Sequence, residues 1–418
     1  PREQWDTLVS RPQLDTTRLF DTVGAILDDI RQRGDAAVKE YSAKFDNVDI
    51  HQELLVSEVE KDAANTAVPD ELKQAIYTAK ANIEKFHSAQ KFQSGKIETS
   101  SGVTCWQRQT PIERVGLYIP GGTAPLFSTV LMLAIPAKIA GCSEIVLCSP
   151  PTVEGGKIHP AVIFAATVAG VNKIFKIGGV QAIGAMAVGT ESVPRVYKIF
   201  GPGNQYVTAA KQLASMKDVA IDMPAGPSEV EVIADETAYP AFVAADLLSQ
   251  AEHGPDSQAI MLTTSVAVAD AVKHEVKTQL TALSRRKIAE KALQNSRLIV
   301  LKNIDEIIDF TNHYAPEHLI IATKNYSVIA DRIINAGSVF LGNYSPESAG
   351  DYASGTNHTL PTHGWATAFS GVNLDSFLKK ITFQELTQDG LRHIGPAIEI
   401  MAAAEHLDAH RNAVSLRM

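Results

Sequence analysis

Apolar residues recur at three- and four-residue spacing early in the chain. Leu19, Val23, Ile26, Leu27 and Ile30 would share one helical face before Arg33-Gly34-Asp35. A second helical pattern runs from Glu71 through Phe86. Between Val115 and Ile233 the texture changes. Short apolar runs at 115–119, 144–148, 173–177 and 195–200 alternate with alanine-rich helical stretches at 127–141 and 158–170. Strand and helix in alternation at this spacing predict βαβ units around a parallel sheet. A further strand at 229–234 leads into a long helical pattern that Gly254-Pro255 should stop, since Pro cannot continue a helix. Runs at 258–264, 297–301, 318–322 and 336–341 predict a second α/β unit, and the chain from 376 onward reads as mainly helical. No internal repeat and no low-complexity segment is present.

A chain of 418 residues exceeds what one core ordinarily holds, so more than one domain is expected. Hydrophobic residues at 45% and charged residues at 20% exclude a disordered chain. A formal charge of -9, with no dense basic run, argues against a nucleic-acid partner and fits an enzyme of small molecules. Cys105, Cys142 and Cys148 show no CxxC spacing and no disulfide framework, which suits a reducing compartment. No apolar run reaches the roughly 18 to 20 residues of a membrane helix. The polar opening Pro1-Arg2-Glu3-Gln4-Trp5 does not read as a signal peptide, so a cytoplasmic protein without a membrane partner is expected.

Chemistry concentrates in eight places. Gln250 and His253, at the end of an apolar helical run, are spaced to hold one ion between them, although such a pair also fits a helix end that faces water. Three glycine-rich turns follow strand-like runs: Tyr118-Ile119-Pro120-Gly121-Gly122, Ile177-Gly178-Gly179-Val180-Gln181 and Gly201-Pro202-Gly203-Asn204. Turns of that kind present backbone amides to a phosphate, and at the ends of successive parallel strands they would line one crevice. None is the GxGxxG dinucleotide fingerprint, and each also fits a tight βα turn. Asp222-Met223-Pro224-Ala225-Gly226-Pro227-Ser228-Glu229 presents a hydroxyl and two carboxylates on a rigid turn, where the hydroxyl also fits a structural role. Pro316-Glu317-His318 offers two proton acceptors, one titrating near neutral pH, that can cooperate only at a strand or loop end. The polar loop from Asn343 to Thr362 carries Asp351 and His358, and loops of that length are usually functional or disordered. Last, His406 and His410 stand four apart on a C-terminal helical pattern that also carries Glu405, a metal-pair spacing that equally fits a solvated face.

Taken in order, these motifs strongly resemble those of the histidinol dehydrogenase family, and the resemblance spans nearly the whole chain. It implies an NAD-dependent, zinc-containing homodimer that oxidises L-histidinol through L-histidinaldehyde to L-histidine. By motif, one Zn²⁺ per active site would be held by Gln250, His253, Asp351 and a His410 reaching in from the other subunit. Glu317 and His318 would be the acid/base pair, with His318 taking the hydroxyl proton and Glu317 activating water. These residues, with Ser228, His358 and Glu405, would contact substrate. Tyr118, Gln181 and Asn204 would contact NAD, and His406 would have no role at the metal. The implied fold is α/β, with two incomplete Rossmann-like domains on parallel-sheet cores and small terminal, mainly helical dimerisation elements. The expected division is an arm at 1–20, a discontinuous domain of 21–115 with 230–375 carrying most of the zinc and catalytic site, an inserted NAD-binding domain at 116–229, and a C-terminal element at 376–418. Competing expectations are an aldehyde dehydrogenase using Cys105 or Cys148, a zinc hydrolase in which Glu317 activates water, and a non-catalytic ligand-binding protein.

Overall fold

The computed structural model describes residues 2–11, 17–48, 53–92, 95–121, 124–152, 156–171, 173–223 and 226–418. The turn residues Gly122, Thr123, Pro224 and Ala225 therefore lie outside the described residues. Among those described, no helix is long and apolar enough to cross a membrane.

Strands β1 (Ile97–Ser100) and β2 (Val103–Pro111) precede a five-stranded parallel sheet. That sheet holds β3 (Arg114–Tyr118), β4 (Glu144–Ser149), β5 (Lys173–Lys176), β6 (Lys198–Phe200) and β7 (Ala220–Ile221) in the order β5-β4-β3-β6-β7. A second parallel sheet holds β8 (Glu229–Ala234), β9 (Gln258–Thr263), β10 (Arg297–Val300), β11 (His318–Ala322) and β12 (Ser338–Leu341) in the order β10-β9-β8-β11-β12. Each order grows outward from its first strand to both sides, the doubly wound Rossmann-like pattern at five strands. The α/β class expected from the sequence is the observed one.

Alternation builds both cores. In the first sheet Val115, Leu117, Ile145, Leu147 and Ile174 face one helical layer, while Tyr118, Val146, Cys148, Phe175 and Ile199 face the other. In the second, Val230, Val232 and Met261 oppose Ile233, Ile260 and Leu262 in the same way. A parallel sheet must be covered on both faces, which is why its strands carry apolar residues at odd and even positions alike.

The expected domain grouping needs correction. The helices Thr17–Arg33, Asp35–Asp46, Glu58–Ala67 and Asp70–Ser88 cover the first sheet, not the second. Val23, Ile26 and Ile30 pack with the helix Gly179–Val188, and Ile76 and Ile83 with the helix Phe127–Ala140. The apolar stripes of the early helices complete the layers that the crossover helices of the first sheet leave open. Residues 2–11 go to the other unit. Trp5 meets Phe310 edge-on at 5.3 Å, on the helix Ile304–Tyr314.

The C-terminal element is corrected too, for it opens on a strand. β13 (Leu378–Leu386) pairs antiparallel with β2 along its whole length, from Leu378 opposite Pro111 to Leu386 opposite Val103, and β1 completes a three-stranded sheet. Only then come the helices Gln388–Ala404 and Asp408–Ser415, which pack on one another.

Candidate functional site

The carboxyl edge of the first sheet and the amino edge of the second face each other across a cavity of about 610 Å³. From the first sheet come Pro120, after β3, and Pro202, Gly203 and Asn204, after β6. Strand order reverses between β3 and β6, so this is the crevice where doubly wound sheets bind ligands. Gly201, at a φ of 121°, is needed there, because a Cβ would sit 2.1 Å from the carbonyl oxygen of Tyr118. The turn at Gly178-Gly179 ends β5, two strands from the reversal, and does not line the cavity. The expectation that three glycine turns share one crevice thus holds for two of them.

The opposite wall carries most of the reactive groups. Glu317 ends the turn into β11 and His318 opens the strand, the edge position that lets adjacent side chains cooperate. Gly337 makes that turn possible, since a Cβ there would meet the Glu317 carbonyl oxygen at 2.5 Å. The Glu229 N–H, at the head of β8, donates to Glu317 Oε2 at 2.8 Å, and His318 Nδ1 lies 3.2 Å from the Glu229 carbonyl oxygen. A carbonyl only accepts, so Nδ1 carries the proton and Nε2 is the basic nitrogen of the neutral ring. Nε2 is 3.6 Å from Asp351 Oδ1, close enough for charge attraction and too long for a hydrogen bond.

The helix Pro240–Ala251 ends at the same wall. Glu252 caps it, two residues before the expected Gly254-Pro255 stop, and the His253 N–H donates to the Gln250 carbonyl at 3.2 Å in the turn that follows. Gln250 is fully buried and His253 opens onto the cavity. A helix C-terminus carries partial negative charge, so this end favours a cation. The helix Glu347–Tyr352 brings Glu347 and Asp351 to the same place from one face, four positions apart. His253, Glu347 and Asp351 can each supply a ligand atom within 4.8 Å of the others. The Gln250 amide, oriented by its hydrogen-bond network, donates to Glu347 and accepts from the Glu229 N–H at 3.0 Å. His358 Nδ1 donates to the Asp351 carbonyl at 2.9 Å and its Nε2 accepts from the Thr129 hydroxyl at 3.0 Å, which fixes one tautomer behind Asp351.

Carboxylates outnumber cations here, and their protons register it. Burial pushes Glu347 up to about 8, with the nearby Asp351 and Glu317 adding to the rise and His318 opposing it. Burial alone lifts Asp246, one turn before Gln250, to about 7. Burial also raises Glu317, against the pull of His318. Burial opposes the charged His318 ring, yet Glu347, Glu317 and Asp351 outweigh it and hold the ring well above its ordinary range. The Asp351 carboxyl sits below its usual range because the surrounding imidazoles overcome its burial, while burial lowers His253 and His358. A cation placed among these carboxyls would offset the rise that burial gives them. His318 Nε2 and Asp351 Oδ1 are buried there without hydrogen-bond partners.

The structure thus gathers Ser228, Gln250, His253, Glu317, His318, Asp351, His358 and Asn204 around one cavity. It does not gather the rest. Tyr118 ends β3 and Gln181 lies in the helix Gly179–Val188, and both are buried and off the cavity lining; the Tyr118 hydroxyl accepts from the Gly179 N–H at 3.1 Å and Gln181 donates to Asp46 at 2.9 Å. The Asn204 side chain caps the helix Gln205–Ser215. Glu405 and His410 are exposed on the C-terminal element and do not line the cavity of their own chain. The sequence motifs give Glu347 no role, and its four-residue spacing from Asp351 is the signal that points to it.

A family model described as histidinol dehydrogenase matches residues 9–418. The histidinol dehydrogenase of Bacteroides fragilis is 66% identical over 417 residues, covering 100% of this chain and 97% of the relative. That of Escherichia coli is 54% identical over 419 residues, covering 100% and 95%. The solved histidinol dehydrogenase of Elizabethkingia anophelis superposes with a TM-score of 0.97 at 56% identity, over 100% of this chain and 96% of that one. An acetylating aldehyde dehydrogenase from Geobacillus thermoglucosidasius shares the fold alone, with a TM-score of 0.50 at 16% identity over 91% and 93% of the two chains.

Proposed function

The chain belongs to the histidinol dehydrogenase family of oxidoreductases, and on that premise we propose that it oxidises L-histidinol to L-histidine through L-histidinaldehyde, reducing two NAD. The observation that carries this reading is the Glu317-His318 pair facing the cavity beside Gln250, His253 and Asp351, opposite the strand reversal of the other sheet. In the first step His318 Nε2, freed of its own proton once a bound cation offsets the carboxylates around it, would take the hydroxyl proton while NAD would accept the hydride. In the second, Glu317 and His318 take a proton from the water that adds to the aldehyde carbon, and a second hydride leaves. Ser228 and His358 would hold the substrate, joined by Glu405 of the partner subunit.

The donor set fits one zinc ion: a neutral imidazole on His253, a carboxylate on Asp351 and, with the amide turned so that its oxygen in place of its nitrogen faces Glu347, an amide oxygen on Gln250, with His410 of the partner subunit completing it. Bound there, the ion would fix the substrate's nitrogens and supply the positive charge that the buried carboxylates lack. Ser228, Glu317, His318 and His358 would meet a substrate so held from the cavity walls. NAD would lie along the carboxyl edge of the first sheet, near Tyr118, Gln181 and Asn204. The active form would be a homodimer in the cytoplasm.

Incubation with L-histidinol and NAD should raise absorbance at the NADH band, with about two NADH per histidinol consumed. A strong chelator should suppress the rise at least about tenfold, and added zinc should restore it. No NADH with zinc present would remove the dehydrogenase reading in favour of a hydrolase or a binding protein.

A cysteine mechanism has little support. None of the three cysteines lines the cavity, and Cys148 is fully buried in the core, where burial drives its thiol far from ionisation. Cys148→Ala should keep kcat within about twofold, and loss of aldehyde oxidation in a folded variant would revive the thiol route.

A further inference from the structure

His318 and Glu317 share one backbone support, and a distant arginine grips it. The peptide groups of Glu229 make both contacts, its N–H to Glu317 Oε2 and its carbonyl to His318 Nδ1. The Glu229 carboxylate is held from two sides. Arg11 Nε donates to Oε1 at 2.5 Å and Nη2 to Oε2 at 3.0 Å, a bidentate pair, while the His363 N–H donates to Oε1 at 2.8 Å. The same Nη2 donates to the Tyr314 carbonyl at 2.7 Å, and the guanidinium lies 4.1 Å from the centroid of the Tyr314 ring. Tyr314 leads through Ala315, in the left-handed region at a φ of 51°, and Pro316 to the catalytic pair. Arg11 therefore ties the head of β8 to the segment that feeds β11. Both charged side chains are nearly buried, with 11% and 3% exposed. The arm is itself fixed, for Trp5 packs on Phe310 and the Ser10 carbonyl accepts from Gln258 Nε2 at 3.1 Å.

We propose that Arg11 is a positioning residue for the reaction, fixing through its pair with Glu229 the two peptide groups that orient His318 and Glu317. The proposal rests on the roles given to those two residues above. A planar fork suits this place, because it meets both carboxylate oxygens and a carbonyl at once, which an ammonium cannot do. Small misplacement of an acid/base pair costs turnover more than substrate affinity.

The test compares full-length wild type, Arg11→Ala and Arg11→Lys, zinc-loaded, with L-histidinol and NAD. Arg11→Ala should lose about 10- to 100-fold in kcat with the KM for L-histidinol within about threefold. Guanidinium chloride at tens of millimolar should restore several-fold of the loss, and urea at the same concentration should not. A folded Arg11→Ala with kcat within about twofold of wild type would overturn the proposal, as would a loss that guanidinium leaves untouched. If the alanine variant does not melt cooperatively, Arg11→Lys decides. A kcat at least about threefold low at unchanged KM supports the clamp, and wild-type kcat overturns it. A wild type that makes no NADH would instead defeat the catalytic roles themselves, and the clamp with them.

Discussion

His318→Asn should lower kcat for NADH formation from L-histidinol by about 100- to 10,000-fold, the usual worth of a positioned general base. The substitution is chosen for what it keeps. Asn Nδ2 can donate to the Glu229 carbonyl as Nδ1 of the ring does, at 3.2 Å in the native protein. The nitrogen that accepts the substrate proton, Nε2, is removed with nothing in its place. Ligands assigned to zinc are untouched, so metal content by elemental analysis should stay at the wild-type value, and the KM for L-histidinol should move only a few-fold. Steady-state absorbance and a zinc assay on one preparation decide it. A variant within about threefold of wild-type kcat would show that another group takes the proton, and a zinc-free variant would show that the lesion is in the metal site instead.

Much of this site was legible because its groups sit on short motifs whose chemistry is local. Pro316-Glu317-His318 demands a strand end, and β11 begins at His318. The parallel strands were legible for a related reason. Two-faced burial writes a continuous apolar run, and 229–234 and 318–322 match β8 and β11 to the residue. β13 was not, since Ile381 and Phe383 alternate with Lys, Gln and Glu on a strand that stays largely exposed, and only its pairing with β2, far back in the chain, makes it a strand. The early helices show their apolar stripes in the sequence and conceal which sheet those stripes will meet. Glu229 lay in a motif already singled out, yet its partner Arg11 is 218 positions away, and no spacing rule reaches that far. Local chemistry is readable in one dimension, whereas whatever orients it is assembled by the fold.

The proposed sharing of the fourth zinc position between subunits carries the other large effect. Glu405 and His410 bracket the turn between two helices that pack on one another, and neither lines the cavity of its own chain. The same element leaves Ile400, Met401 and Leu416 exposed at 71%, 65% and 78%, apolar surface that a second copy would cover. If the partner subunit's His410 completes each site, two inactive variants should rescue one another. His318→Asn spoils the wall built by its own chain, and His410→Ala spoils the site of the other chain. Random reassortment of equal amounts gives half mixed dimers, and in each of those one site unites both lesions while the other has neither. Recovered activity should therefore approach about a quarter of wild type, from homodimers that are each nearly silent. Brief dissociation in mild denaturant, dilution and an NADH assay measure it, with native mass spectrometry to count mixed dimers. Mixed dimers that form and stay silent, or a zinc-loaded His410→Ala homodimer at full activity, would mean that each chain completes its own site.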